Sequence, residues 1–433
     1  MEGNPLSLSF FAQSCPSPPP CDVLKHVLSV LAAKAATLSR FNEEYPGYGG
    51  FLPWFQIAVA NRSQGIAPTG DWENRVPALD NGQMAWGLLA VSTSLTLAGE
   101  AALAALYGAL FQRMAANALR VFYDSSRGVH RDISRISNMR LPPEQVVYSA
   151  EGSGCLCDPY EGELFVFFAD LYGNWSGYPR DARDRVWANR RPMLQVRRNS
   201  ANTPKLFPLK LIMQAAKFTL PDGTALTVQR GFWFSAHEQW KTWTLPYFDV
   251  SSRVNGVFWD GEVALTWNSR AACIPGLFAS VTNTDPPVCD DGGYISALGI
   301  QAIAFQNVTC GRIVTPYAAS PMLANPRSRV TGLVWYAHML NRSRMQGPYG
   351  STESCSVDSD TISPVQTWDS KINSVVAALG GAADIIALKL ESDGLLVRFR
   401  SVVETEYSRV FPEHGGNASL ALPCRSFAAT VSA

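Results

Sequence analysis

Eight stretches of this chain repeat apolar residues at the helical period, and they decide its fold class. They are Cys21–Phe41, Asn81–Leu97, Glu100–Phe122, Tyr160–Leu171, Val254–Trp267, Ile295–Phe305, Pro321–Met339 and Ser370–Leu379. In the first, Val23, Leu24, Val27, Leu28, Val30 and Leu31 make one stripe, as the buried face of a helix requires. Strand signals are few. Leu206–Ala215 and Ala225–Gln229 flank Pro221-Asp222-Gly223, and Ile386–Leu390 and Leu395–Phe399 flank Ser392-Asp393-Gly394. Both read as hairpins, because Asp-Gly favours a tight turn between strands. Loops rich in Gly, Pro, Trp and Tyr separate the helical stretches. About a dozen helices joined by such loops fit an all-α, double-layered helical toroid with a few short hairpins. No short internal repeat is present. No Gly/Ser-rich linker marks a boundary, so residues 21–433 read as one domain behind a Pro-rich lead-in at 1–20. Two separate helical domains are the alternative.

Charge narrows the function. Lys and Arg number 36, Asp and Glu also 36, so the formal net charge is zero. Such a chain lacks the basic excess that offsets phosphate repulsion, which argues against a nucleic-acid partner. It equally argues against a polybasic membrane-surface protein. Charged residues are 17% of the chain and aromatic residues 11%, against about 25% charged in an ordinary domain. A neutral sugar polymer suits that balance, because pyranose rings stack on aromatic faces and hydrogen-bond at their edges.

Five N-x-[ST] sequons, at Asn61, Asn174, Asn307, Asn341 and Asn417, accompany nine cysteines. Together they favour a eukaryotic secretory route with disulfides. The cysteines lack the spacing of a zinc ribbon. Nine is odd, so at least one thiol is left over, and spacing does not give the connectivity. Met1–Ala12 has no basic n-region and only a short apolar patch, which reads as a chain whose signal peptide has been removed. No apolar run reaches the roughly 20 residues of a membrane span.

No nucleophile elbow, phosphate loop or H-E-x-x-H zinc helix occurs, and the five His are scattered. No metal or cofactor is expected. Carboxylate chemistry remains, and a glycosidase needs only a pair of carboxylic acids. Three clusters join carboxylates to aromatics: Cys157–Glu163, Phe232–Asp249 and Thr367–Lys371. Each also reads as a helix start. Asp158, Pro159 and Glu161 form a capping box with Pro at the first helical position, Ser235 and Glu238 form another box, and Asp369 reads as an N-cap. A helix N-terminus favours an ionised carboxylate, which suits Asp369 as a base. A general acid must hold its proton, which needs desolvation. Trp233, Trp240 and Trp243 would exclude water from Glu238, whereas a capping role and Lys241 would act the other way.

These residues also carry a family resemblance. His237-Glu-Gln-Trp-Lys241, Leu245-Pro-Tyr-Phe-Asp249, Gly261–Asn268 and Ile274–Val281 resemble the core of the eukaryotic endo-β-1,2-glucanases, glycoside hydrolase family 162. So do Tyr45–Phe55, Leu79–Gly82, Asp158–Glu163, Thr315–Ala318, Gly347–Glu353 and Trp368–Lys371, so the likeness runs from about residue 45 to about residue 380. The bacterial family 144 enzymes are similar but more distant. The resemblance implies an (α/α)6 barrel and an anomer-inverting endo-hydrolase of linear β-1,2-glucan that yields sophorooligosaccharides. It implies a Glu acid that protonates the leaving oxygen through a substrate hydroxyl, and an Asp base that activates water. By motif the acid is carried onto Glu238, with Glu262 in reserve, and the base onto Asp369. The resemblance further implies that Asp158 and Glu161 bind substrate near the cleavage point and that Trp54, Asp80, Trp240, Tyr349 and Glu353 line subsites. Because a hydroxyl must fit into the relay, the carboxylates should stand further apart than the ~6.5–9.5 Å of a simple inverting pair. A secreted monomer is expected. Alternatives are a transglycosylase or a glucanase of other linkage on the same fold, or a non-catalytic glucan-binding protein.

Overall fold

The computed structural model describes residues 22–424 except 58–64, 191–212, 232–235, 280, 291–292, 296–297, 305–306, 343, 348–349 and 413–414, and the side chains at 236–239 and 368–370. Among the described residues there are twelve α-helices and only short strands. The chain divides into two compact units, 1–157 with 162–203, and 158–161 with 204–433. The lead-in at 1–20 lies outside the described residues.

The first unit holds five helices: α1 (Val23–Glu44), α2 (Leu79–Leu97), α3 (Ala101–Phe122), α4 (Gly162–Tyr172) and α5 (Ala182–Arg190). Asp22 caps α1, its Oδ1 accepting the Lys25 N–H at 3.0 Å. The three long stretches expected near the N-terminus are thus helices, within a few residues of the expected ends. α2 packs against α3 and α4, and the buried Trp86 donates its indole N–H to the Leu164 carbonyl at 2.8 Å. Phe51, Phe111, Phe122, Phe165 and Phe168 fill the centre with edge-to-face and tilted pairs. A three-stranded antiparallel sheet, Arg75–Pro77, Ile133–Ile136 and Tyr148–Ala150, lies in the same unit.

His130 is buried against the rings of Tyr123, Phe165 and Trp175. Burial, reinforced by the nearby Arg190 and Arg131 charges, lowers its pKa from 6.5 to about 3. The folded value lies below the unfolded one, so only the unfolded chain takes up this proton between them. His130 therefore contributes fully to stability above about pH 6.5 and loses that contribution as the pH falls toward about 3. His130→Phe, which keeps the aromatic packing, should flatten the fall in melting temperature between pH 7 and pH 4.5. Equal slopes for variant and parent would contradict this.

The second unit holds α6 (Ala236–Thr244), α7 (Ser252–Ala271), α8 (Ser320–Ala324), α9 (Arg329–Leu340), α10 (Trp368–Ala378), α11 (Ala383–Ser392) and α12 (Leu396–Val410). The hairpin around Pro221 forms, with Ala215–Thr219 paired to Ala225–Gln229. Its first strand starts where the expected one ends, and residues 206–212 lie outside the description. Its inward residues, Ala216, Phe218, Leu226 and Val228, join a core with Trp335, Met339, Leu277 and Ile313. The C-terminal segment is laced across this core. The indoles of Trp259, Trp267 and Trp335 donate to the carbonyls of Ala418, Ser419 and Ala421 at 2.7, 2.8 and 2.8 Å, and Cys273 bonds to Cys424.

Three expectations are corrected. The runs around Ser392-Asp393-Gly394 are helices α11 and α12, not strands. Gly394 takes φ +71°, and the N–H groups of Gly394 and Leu395 bond to the carbonyls of Glu391 and Leu390. Asp-Gly here ends a helix in a left-handed cap. Beyond it, Leu396, Phe399, Val403 and Tyr407 are buried at helical spacing. Pro321–Met339 is two helices, α8 and α9, because the chain turns between Asn325 and Ser328. Ile295–Phe305 contains no helix among its described residues. Ile295, Leu298, Ile300 and Ile303 are buried as expected, but by turns around Gly299 (φ +78°) and by a bridge from Leu298 to Cys310.

Disulfides join Cys155 to Cys157, Cys273 to Cys424 and Cys289 to Cys310, and Cys355 is a buried free thiol. Cys15 and Cys21 lie outside the described residues.

Candidate active site

In the second unit a lysine occupies the position that most needs explaining. Lys241 of α6 has 0% exposure. Its ammonium donates to the Pro159 carbonyl and, at 2.8 Å, to the Tyr407 hydroxyl. It also lies over the rings of Tyr160, Tyr247, Phe258 and Tyr407, 5.1–5.7 Å from their centroids. A buried cation is tolerated when π-faces and oxygen acceptors replace its water. Carboxylates sit on the same segments. Glu161, 5% exposed, follows the caging Tyr160, and Glu262, 6% exposed, lies one helical turn beyond the caging Phe258. Placement thus brings two buried carboxylates to the lysine's neighbourhood from elements far apart in sequence.

α6 and α10 pack together in this unit, and α8 packs against both. Trp243, Tyr317, Leu323 and Ala377 form their buried cluster, with Trp240 and Val376 partly buried against it. The Ala382 N–H bonds to the Trp243 carbonyl at 2.6 Å, which ties the chain after α10 to the end of α6. Glu238 is the third residue of α6 and Asp369 the second of α10, so both predicted catalytic carboxylates stand in first helical turns. Their side chains lie outside the description. Glu353 is 2% exposed and accepts from the Tyr317 hydroxyl at 3.3 Å and the Thr367 hydroxyl at 2.8 Å.

In the first unit, Trp54 and Asp80 come together. Asn81 holds the Leu52 N–H and C=O at 2.8 Å each, fixing the loop of Trp54 against the start of α2. The Trp54 indole stacks on Trp72, centroids 4.8 Å apart, and donates to Asp80 Oδ2 at 3.4 Å. It remains 58% exposed. Trp54, Phe55, Thr69, Asp80, Asn81 and Met84 help to line an open cleft of about 440 Å³. A flat exposed ring beside a carboxylate suits a pyranose, which stacks on one and hydrogen-bonds to the other.

Of the other predicted residues, Asp158 is partly buried, its Oδ1 accepting the Tyr160 N–H at 3.3 Å. This corrects the expected capping box: Pro159 does not open a helix, and α4 starts at Gly162 instead. Pro159 is thereby left in the bend where its carbonyl receives Lys241. Asp369 is likewise inside its helix rather than at the cap, because α10 starts at Trp368. Ser235 and Tyr349 lie outside the described residues. Sequence reasoning treated Lys241 only as a charge near Glu238. Its cage draws on Tyr160, Tyr247, Phe258 and Tyr407, and no spacing pattern joins those positions.

The family model for endo-β-1,2-glucanase SGL, of glycoside hydrolase family 162, matches residues 1–432. A search of curated protein sequences finds no match. Among solved structures, the endo-β-1,2-glucanase of Talaromyces funiculosus in complex with sophorose is 34% identical, with 91% of this chain and 75% of that chain covered and a TM-score of 0.79. A mutant of the T. funiculosus enzyme with β-1,2-glucan is 33% identical, with 93% and 76% covered and a TM-score of 0.80. The endo-β-1,2-glucanase of Chitinophaga pinensis, with sophorotriose and glucose, is 14% identical, with 94% and 85% covered and a TM-score of 0.48.

Proposed function

The chain belongs to the endo-β-1,2-glucanases of glycoside hydrolase family 162, and from that membership we propose that it cleaves linear β-1,2-glucan internally, with inversion, to sophorooligosaccharides. The observation that carries the reading is the likeness to solved glucanase structures holding sophorose and β-1,2-glucan. An (α/α)6 barrel belongs to the same proposal, supported by twelve helices among the described residues. So do secretion, N-glycosylation and a monomeric state. Disulfides and the exposed Asn174, Asn307, Asn341 and Asn417 support the secretory part.

In the proposed mechanism Glu238 delivers a proton to the glycosidic oxygen through a hydroxyl of the bound glucan. Asp369 removes a proton from water, which attacks the anomeric carbon from the opposite face as the C–O bond breaks. The start of α10 favours an ionised carboxylate at position 369, as a base needs. Burial of Glu262 inside α7, far from a helix N-terminus, favours a second reading in which Glu262 is the acid. Asp158 and Glu161 hold sugar near the cleavage point, Trp240 and Tyr349 line subsites, and Trp54 with Asp80 forms a further subsite.

Trp54→Ala should raise KM on β-1,2-glucan about fivefold to thirtyfold with kcat nearly unchanged, the loss of about 1–2 kcal/mol of stacking. An unchanged KM would remove Trp54 from the subsites. The function itself is tested by activity on β-1,2-, β-1,3-, β-1,4- and β-1,6-glucans. Cleavage should be confined to the β-1,2 polymer, and preferred cleavage of another linkage would overturn the reading.

A further inference from the structure

We propose that Glu353 is a positioning residue for hydrolysis, one that sets the first turn of the helix carrying Asp369, rather than a subsite ligand. The inference rests on the reading of Asp369 as the base. Glu353 is buried, and each of its oxygens is engaged by this chain: Oε1 by the Tyr317 hydroxyl at 3.3 Å, Oε2 by the Thr367 hydroxyl at 2.8 Å and the Thr367 N–H at 3.4 Å. Thr367 immediately precedes α10. Four residues later, Lys371 donates to the Ser351 carbonyl, two residues before Glu353. Burial lowers the Lys371 pKa and the Glu353 charge opposes that shift. The segment 351–353 therefore bonds to Thr367, just before α10, and to Lys371 in its first turn, on either side of 369 in sequence.

The other arm of the carboxylate reaches Tyr317, in the turn just before α8. Tyr317 is buried in the cluster of Trp243 and Ala377. Trp243 belongs to α6, which carries Glu238, and Ala377 belongs to α10. Glu353 thus joins the start of α10 to the packing between the two helices that carry the proposed acid and base. Such a group controls where the base stands without touching sugar. A misplacement of about 1 Å far from the chemistry is enough to cost on the order of a hundredfold in rate.

The test uses the full chain, with initial rates on β-1,2-glucan and thermal melting for Glu353→Gln, Thr367→Val, Thr367→Ser and Asp369→Asn. Glu353→Gln should lower kcat about thirtyfold or more with KM within about twofold. Thr367→Val should lower kcat by a smaller factor, and Thr367→Ser, which keeps the hydroxyl, should restore it. A raised KM with kcat unchanged in Glu353→Gln would make the residue a subsite ligand and overturn the proposal. A lowered melting temperature with intact kcat would also overturn it, leaving a purely structural role. Should Glu353→Gln fail to fold, the contrast between Thr367→Val and Thr367→Ser decides: equal rates overturn the proposal. Asp369→Asn tests the underlying reading alone, because retained turnover there would remove the base whatever the Glu353 result.

Discussion

Glu238→Gln and Asp369→Asn should each lower kcat on β-1,2-glucan by about a thousandfold or more, while both variants should melt near the parent temperature. The amides keep the volume of the carboxyl groups and most of their hydrogen-bonding capacity. Neither can exchange a proton near neutral pH, so only the chemistry is removed. The two losses are distinguishable. An aryl glycoside of a β-1,2-linked oligosaccharide with an acidic phenol as leaving group needs little protonation. It should restore much of the rate to the acid variant and none to the base variant. If Glu238→Gln retains turnover while Glu262→Gln loses it, the acid belongs to α7 and the assignment on α6 is wrong.

Lys241→Met has the largest expected effect on stability. The substitution keeps the length and apolar stem of the side chain, so it fills the same space. It leaves the Pro159 carbonyl and the Tyr407 hydroxyl without their donor. It also takes a buried positive charge out of a region that holds the buried carboxylates of Glu161 and Glu262. Leaving two buried acceptors without their donor costs about 1–3 kcal/mol each. At about 2–4 °C per kcal/mol for a large domain, melting should shift down by on the order of 10 °C. Activity should fall with it, because the lysine bonds to Pro159, between Asp158 and Glu161, the proposed sugar ligands. An unchanged melting temperature would mean that the cage carries little energy.

The sequence is most legible where one physical requirement acts alone. α3 is a helix because a long amphipathic run has one way to bury its apolar face. α2 carries apolar residues on all sides, and in the α1 stripe Leu24 and Val30 stay exposed, so there length and period alone mark the helix. Short runs are ambiguous. Ile386 and Leu390 are equally compatible with a strand, and the Asp-Gly after them closes a hairpin or caps a helix according to what the flanking runs pack against. Ile295, Leu298 and Ile303 show the converse: their helical spacing suggests a helix, and the turn at Gly299 and the bridge to Cys310 bury them without one. At the candidate site the motifs name Trp54 and Asp80 separately, and the structure brings the two side chains together. Glu353 reads as a sugar ligand by its motif, and its bonds to Tyr317 and Thr367, which the motif does not show, support the proposal that it braces α10 instead. The sequence shows Lys241 as a charge near Glu238 but not its cage, because Tyr160, Phe258 and Tyr407 lie on separate stretches of chain.

The central claim is inverting endo-hydrolysis of β-1,2-glucan, and proton NMR of a digest of the linear polymer tests it most directly. New reducing ends should appear first as the α-anomer and mutarotate toward β, while the polymer shortens early to a mixture of sophorooligosaccharides. Ends that appear first as the β-anomer, or a polymer left at full length, would contradict it.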